Sequence, residues 1–381
     1  MAASPSTARA INDRLALRLL QDEGPLTAAQ LKTLTGLSRP TVADLVERLR
    51  ESGLVHVVGE SGAERRGPNA KLYGIVAERA HLAALDVRTD SVSVVVADLL
   101  GTTLAEASVP VGGDSATGPA VEKAVTLLER TAKEAGVDRL HTVAVGAPGL
   151  IDPATGELRD STGLPAWHRR LVAVLQERLP ARVLVENETN LAATAELREG
   201  AARDREDFVL LWLGQGVGAA VVLGGRVRRG ASGGAGEIGF LPVPGTSGLP
   251  SGTSCDGGFH ELACAAAVDT LAATHGLDPA TALSPGASAP GGGADVFLDA
   301  LAERLAIGAA AVVSVLDPGC VVLGGETGHR GGPGLASRVE TGLARLSPLR
   351  AEVRATALGD AAVLRGALLR ARDAAQDELF P

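Results

Sequence analysis

The sequence predicts two unlike units in one chain, a small unit of three helices closed by a β-hairpin and then a larger α/β body. Three observations carry this. Helix start and stop signals recur three times before residue 53. From about Ala80 the texture changes to Val- and Gly-rich strands alternating with Ala-rich helices. And 381 residues are more than one ordinary core organises.

In the first unit, "INDRLALRLLQDEG" places Ile11, Leu15, Leu19 and Leu20 near helical spacing and ends at Gly24. "LTAAQLKTLTG" is a second, shorter helix, with Thr27 suited to cap its start and Gly36 closing it. "LSRPTVADLVERLRESG" is the third. Ser38 is a good N-cap, Pro40 falls in the first turn where its missing N–H costs nothing, and Gly53 stops the helix. "LVHVV" and "KLYGIV" then form two strands around "GESGAERRGPNA".

Three helices followed by a β-hairpin is the order of a winged helix-turn-helix. Val42, Leu45, Val46 and Leu49 face the core of the unit, which turns Arg39, Thr41, Asp44 and Arg48 outward. Together with Ser38 and Pro40, these lie where the N-terminal end of such a helix reaches base edges in a major groove. Arg65 and Arg66 on the wing suit an adjacent minor groove or phosphates. The alternative is a small helical domain for protein contacts.

In the body, strands are expected at 82–87, 92–98, 142–146, 183–186, 209–213, 219–223 and 320–323, and a flexible surface loop at 284–295. Two strand–turn–strand units, around Arg88 and around Gly216, hint at a duplicated architecture. Residues 208–225 are apolar enough to suggest a membrane span. Gly214, Gln215, Gly216 and Gly218 instead punctuate them as strand–turn–strand, so no membrane association is expected.

Charge divides the two units. The first 80 residues hold 11 Lys and Arg against 9 Asp and Glu, and the remainder 25 against 36. An acidic body repels nucleic acid, so DNA contact belongs to the first unit. Three scattered cysteines, Cys255, Cys264 and Cys320, suit a reducing compartment. Residues 1–10 lack a stretch of signal-peptide length, and a cytoplasmic location is expected.

Five segments then occur in a telling order: "VAVGAPGLIDPATGELRDSTGLPAW", "VENETNLAATAE", "GQGVGAAVVLGGRVRRGASGGAGEIGF", "LDPGCVVLGGE" and "ALGDAAVLRGAL". Together they resemble the ROK family, which joins sugar kinases with sugar-responsive repressors. The resemblance covers roughly residues 80–375, and a winged helix in front is similar to the repressor branch. It implies an α/β fold class, an N-terminal winged helix-turn-helix over 1–78 followed by a two-lobed actin-like ATPase domain of ROK type over 79–381.

The departures from the family pattern matter most. Family kinases read Asp-x-Gly-Gly-Thr at the first hairpin, where bare backbone approaches phosphate. Here Asp86 is kept, but Arg88, Thr89 and Asp90 replace the Gly-Gly-Thr. At ~4 Å and an effective dielectric of ~20, Asp90 and a phosphate charge would repel by about 4 kcal/mol, with Arg88 in part compensating. The second turn, Gly214-Gln215-Gly216-Val217-Gly218, and Gly324-Gly325, where the adenosine would lie, keep their glycines. The family's general base is an Asp in Glu-Asn-Asp-x-Asn, and Glu188 stands there on a longer arm. Asn187, Glu188, Glu237 and Glu261 match positions that hydrogen-bond sugar hydroxyls. The family's zinc ligands are replaced by Phe240, Gly252, Ser254 and Phe259, so no cofactor is expected.

The resemblance therefore implies a sugar-responsive repressor with a degenerate kinase domain, a homodimer or homotetramer on an inverted-repeat, double-stranded operator. Two rivals stay open: an active ATP-dependent sugar kinase carrying a DNA-binding module, and a ligand-free scaffold that binds DNA constitutively.

Overall fold

A computed structural model describes residues 5–61, 70–112, 116–159, 166–252, 256–283 and 292–380. The first unit comprises α1 (Pro5–Asp22), β1 (Leu26–Thr27), α2 (Ala28–Thr35), α3 (Arg39–Glu51), β2 (Val55–Ser61) and β3 (Ala70–Ile75). Its antiparallel sheet has the order β1-β3-β2. Thr27 and Gln30 form a reciprocal capping box, and Gly36 closes α2 in the left-handed region at φ 71°. The Ser38 side chain accepts from the Thr41 N–H, and Pro40 lies in the first turn.

One expectation for α1 is corrected. Ile11 and Leu15 are exposed, and the buried face runs instead through Asp13, Ala16, Leu17 and Leu20. That set also follows helical spacing, and it faces α2 and α3. The ambiguity arises because Leu17 sits between two leucines of the other stripe.

The body is two sheets of five strands with helices between and outside them. The first lobe is built from β4 (His81–Val87), β5 (Ser91–Asp98), β6 (Thr103–Pro110), α4 (Thr117–Glu134), β7 (Thr142–Ala147), α5 (Trp167–Arg178) and β8 (Arg182–Asn187), after which α6 (Glu188–Glu199) begins at once. The second lobe holds β9 (Phe208–Leu213), β10 (Val217–Val222), β11 (Val227–Arg228), α7 (His260–Ala263), α8 (Ala265–Thr274), α9 (Pro279–Ala282), α10 (Gly293–Leu316), β12 (Cys320–Gly324), α11 (Gly325–Leu346) and β13 (Glu352–Ala355), and α12 (Ala362–Leu379) ends the chain's helices.

The sheets have matching topologies, β6-β5-β4-β7-β8 and β11-β10-β9-β12-β13. In each, the first three strands in chain order are antiparallel neighbours and the last two join parallel. The duplication hinted at by two strand–turn–strand units is thus architectural. All seven expected strands of the body are present; β6, β11 and β13 are additional edge or near-edge strands. The apolar run at 208–225 is the β9–β10 hairpin, and among the described residues no helix is long and apolar enough to cross a membrane. Within the loop expected at 284–295, residues 284–291 lie outside the described residues, and Gly293 already starts α10.

Helices α6 and α12 form the middle layer. α12 packs on α6, β4 and β7, while α6 packs on β9 and β10. Gly366 makes this crossing close, since a Cβ there would lie 2.0 Å from the Leu191 carbonyl oxygen. One apolar cluster runs without a break from Leu17 and Leu20 of the winged helix through Leu82, Ala84 and Leu210 to Ala375 and Phe380.

Candidate nucleic-acid interface and ligand cleft

At the start of α3, Ser38, Arg39 and Pro40 are exposed and Thr41 is half-buried beneath the cap, its hydroxyl 2.8 Å from that of Ser38. The four residues form one accessible N-terminal turn. Asp44, one turn on, is exposed and engaged by Arg48. Arg48 departs from the outward orientation expected of it. Its guanidinium turns back to Asp13 of α1, at 2.5 Å from Nη2, and only 28% of its side chain is exposed. The cause is electrostatic: Asp13 is buried in the helical core and requires a cation to offset its desolvation. Arg65 and Arg66 lie outside the described residues.

The cleft forms where β4, β8 and α6 of the first lobe meet the β9–β10 turn and the start of α11. Asp86 closes β4 and is buried. Arg88 follows it in the hairpin turn. Its Nε donates to Asp86 Oδ2 at 3.0 Å, its Nη1 to Glu326 Oε1 at 2.8 Å, and its Nη2 to the Asp360 carbonyl at 3.4 Å. Glu326 Oε2 in turn lies where a Cβ on Gly214 would be 2.5 Å away. The two glycine-position turns thus face each other across an Arg88–Glu326 ion pair contributed by the protein itself. Asp90, by contrast, is exposed and accepts from the Ser91 hydroxyl. The charge that enters the hairpin's interior is therefore the arginine rather than the aspartate.

A second bridge crosses the cleft in the opposite sense. Arg229 of the second lobe donates from Nε to Glu186 Oε2 at 2.7 Å, and its Nη2 pairs with the same carboxylate. Glu186, buried at the end of β8, also accepts from Asn190 Nδ2. The segment after Arg229 needs its glycines: Gly233, at φ 84°, and Gly236, at φ 95°, bring backbone so close to Ile151 and Ala219 that any Cβ would strike a carbonyl oxygen.

Glu188 opens α6 and is coupled to Asp86, Arg88 and Glu326. Burial and the Asp86 charge push its carboxyl up to about 8. Asp86 is likewise raised, burial outweighing Arg88, and its Oδ1 has no hydrogen-bond partner among the described residues. Under this cluster lies His168, a residue the sequence did not single out. It is buried edge-on to Trp167, its Nε2 3.3 Å from the Arg88 carbonyl oxygen, and burial lowers its pKa. Glu326 was legible only as the residue after Gly324-Gly325, and Glu186 as the first acid of "VENETN".

The other expected sugar contacts divide. Asn187 is committed: its carbonyl caps α6 on the Thr189 and Asn190 N–H groups, and its amide donates to the Gly149 carbonyl at 2.9 Å. Glu261 accepts from the backbone and hydroxyl of Ser247. Glu237 is exposed beside the 149–151 segment, with no hydrogen-bond partner among the described residues. Phe240 is exposed at 46%, and Phe259 is fully buried against Gly308 of α10. Gly252 offers no side chain, and Ser254 lies outside the described residues. None of the three described positions supplies a metal donor, so zinc does not fit there.

Comparison with known proteins gives the class of this chain. Residues 82–374 match the ROK family and residues 11–67 match the MarR family. The chain belongs to the ROK family. It is similar to the DNA-binding transcriptional dual regulator NagC of Escherichia coli K12, 27% identical over 276 residues, which are 70% of this chain and 64% of that protein. It is also similar to the xylose repressor of Caldicellulosiruptor bescii, 25% identical across 61% of this chain and 59% of that one. The match thus spans less than two thirds of the length of these relatives. Among solved structures, a ROK family transcriptional regulator, homologue of the E. coli MLC protein, superposes with a TM-score of 0.77 at 20% identity over 98% of both chains. A ROK family glucokinase from Streptomyces griseus, solved with glucose and AMPPNP, gives 0.66 at 24% identity over 77% of this chain and 100% of its own.

Proposed function

We propose that the chain is a DNA-binding transcriptional repressor whose ROK body senses a sugar and has lost kinase chemistry. The Arg88–Glu326 ion pair is the observation that carries it. In the family's kinases the two facing turns hold nucleotide phosphates; here a guanidinium and a carboxylate of the protein fill the gap, and Glu326 would repel a phosphate from the second turn. Glu188 adds to this reading. Its carboxyl, pushed up to about 8 by burial and the Asp86 charge, keeps its proton at neutral pH and can donate to a ligand oxygen.

Sugar binding uses what remains. Glu188 and Glu237 have no hydrogen-bond partners among the described residues and are the residues we assign to ligand hydroxyls, while Asn187 holds the Gly149 segment and Glu261 the Ser247 segment. Ligand at the lobe interface favours one interlobe angle, and the accessible turn at Ser38, Arg39, Pro40 and Thr41 meets DNA in a geometry set by that angle. NagC and the xylose repressor, both regulators by name, support this reading. A two-fold assembly, dimer or tetramer, on an inverted repeat follows from the few base contacts one winged helix offers. A cytoplasmic setting without zinc completes the proposal.

The test is fluorescence anisotropy of the full chain on DNA from upstream of its own gene, against random DNA at fixed salt, with a panel of sugars. A parallel assay follows sugar-dependent ATP turnover. Selective DNA binding weakened by one sugar, without turnover, is the expected result. Turnover abolished by Glu188→Gln would replace the proposal with a sugar kinase, and DNA binding inert to every sugar would replace it with a constitutive scaffold.

A further inference from the structure

α6 runs from the cleft, where it starts at Glu188, to a second cavity, where it ends at Arg198 and Glu199. Twelve residues at 1.5 Å each separate the two by about 18 Å. This cavity, about 600 Å³, lies between α1 of the winged helix and the α6–α12 layer of the body. Its size is that of a small-molecule site.

Its lining holds four arginines and four carboxylates, equal in number but unequally paired. Arg14 of α1 pairs with Asp377 of α12 at 2.7 Å, and Arg198 binds Asp373 through two bonds of 2.8 and 2.6 Å. Glu199 is taken by Arg365 at 3.2 Å. Two arginines remain. Neither Arg18 nor Arg372 makes a hydrogen bond or ion pair among the described residues, and Arg372 Nε is buried without an acceptor. Asp22, Asp373 and Glu199 lie near enough to act on Arg372 electrostatically, and among the described residues none of them bonds to it directly. A guanidinium is rarely withdrawn from water without an oxygen to receive its N–H groups.

We propose that this cavity is a binding site for a small phosphomonoester, separate from the sugar cleft. A phosphomonoester carries close to two negative charges and three acceptor oxygens at neutral pH, which suits two unpaired guanidiniums better than a single carboxylate does. The ligand touches α1 on one side and α6 and α12 on the other, so its occupancy fixes the winged helix on the body. α1 turns Asp13, Leu17 and Leu20 toward its own unit and Arg14, Arg18 and Gln21 toward the cavity. The site therefore faces away from α3 and leaves the DNA-facing turn free. Only the consequence for DNA rests on the proposed repressor function; the binding does not.

The experiment is isothermal titration of the full chain with glucose 6-phosphate, inorganic phosphate and unphosphorylated glucose at constant ionic strength. The same titrations are run on Arg372→Gln, Arg18→Gln and Glu188→Gln. Saturable binding of glucose 6-phosphate is expected, weakened at least about tenfold by Arg372→Gln and by Arg18→Gln, while binding of inorganic phosphate, which offers Glu188 no sugar hydroxyl, changes less than about twofold in Glu188→Gln. Equal binding of inorganic phosphate also supports the site and assigns recognition to the phosphate alone. No saturable binding of either phosphate, binding indifferent to both arginine variants, or inorganic phosphate binding lost in Glu188→Gln overturns it. Arg18 is exposed, so its variant decides the matter if Arg372→Gln does not fold. Absence of DNA binding in every state would sink the repressor reading and leave the calorimetry standing.

Discussion

Glu188 and Asp86 place two carboxyls together at the base of the cleft, and Arg88 is the cation that faces both. This has a measurable consequence in pH. The Glu188 carboxyl is raised from its ordinary 4.5 to about 8, so between those values the folded chain holds a proton that the unfolded chain has released. Stability from this group is therefore full below about 4.5, falls as pH rises, and levels off beyond about 8. Glu188→Gln keeps the hydrogen-bonding shape without the titration. Its unfolding free energy should match the parent at pH 5 and exceed it increasingly toward pH 8.5, by an amount on the order of a few kcal/mol at most. A constant difference across that range, followed by calorimetry, would mean the carboxyl is solvated. Sequence showed the acid at this position and the arginine two places after Asp86. It did not show that Arg88 reaches Glu326, a residue 238 positions away, because such a contact leaves no periodic trace.

Among the elements, α3 was read with its caps and its buried face correct, because Ser38, Pro40 and the Val42/Leu45/Val46/Leu49 stripe act locally. Its outward face was read less well at Arg48, whose partner Asp13 belongs to another helix. The two arginines of α3 should accordingly separate by assay. Arg39→Ala is expected to weaken operator binding and relax its specificity while leaving the melting temperature within about a degree of the parent, as suits an exposed side chain. Arg48→Ala strands the buried Asp13 carboxylate and should cost stability, on the order of 3 kcal/mol, before any effect on DNA. Equal losses on operator and random DNA for Arg39→Ala would count against its contact with bases. Strands β6 and β13 escaped detection because edge strands carry exposed or partly exposed side chains and lack the apolar runs of central strands. The α6–α12 crossing was also silent, as Gly366 looks like any glycine until Leu191 is seen against it. Gly366→Ala would force two helix backbones apart, and we expect a loss of about 3 kcal/mol or more in chemical denaturation; a loss below about 0.5 kcal/mol would show the crossing to be compliant.

At the scale of the molecule, the two lobes are tied by two bridges of opposite sense. Arg88 of the first lobe reaches Glu326 of the second, and Arg229 of the second reaches Glu186 of the first. Each arginine lies against a buried carboxylate of the first lobe, Asp86 or Glu186. The two bridges thus join the lobes through the protein's own charges. Removing one bridge leaves the other, but removing both leaves Asp86 and Glu186 without these cations and the lobes joined through the α6–α12 layer and the approach of Gly233 to Ile151. In Arg88→Gln combined with Arg229→Gln, the lobes should swing apart. The radius of gyration from solution scattering should rise, and hydrogen exchange should quicken at the Arg88–Ser91 and Gly214–Gly218 turns while the central strands β4 and β9 stay protected. A sugar can close such a molecule only by its differential affinity for the two angles, so the double variant should also bind its sugar more weakly than either single variant. An unchanged radius and unchanged exchange at both turns would assign the interlobe angle to the α6–α12 layer and the Gly233–Ile151 packing, with the arginines serving only to neutralise Asp86 and Glu186.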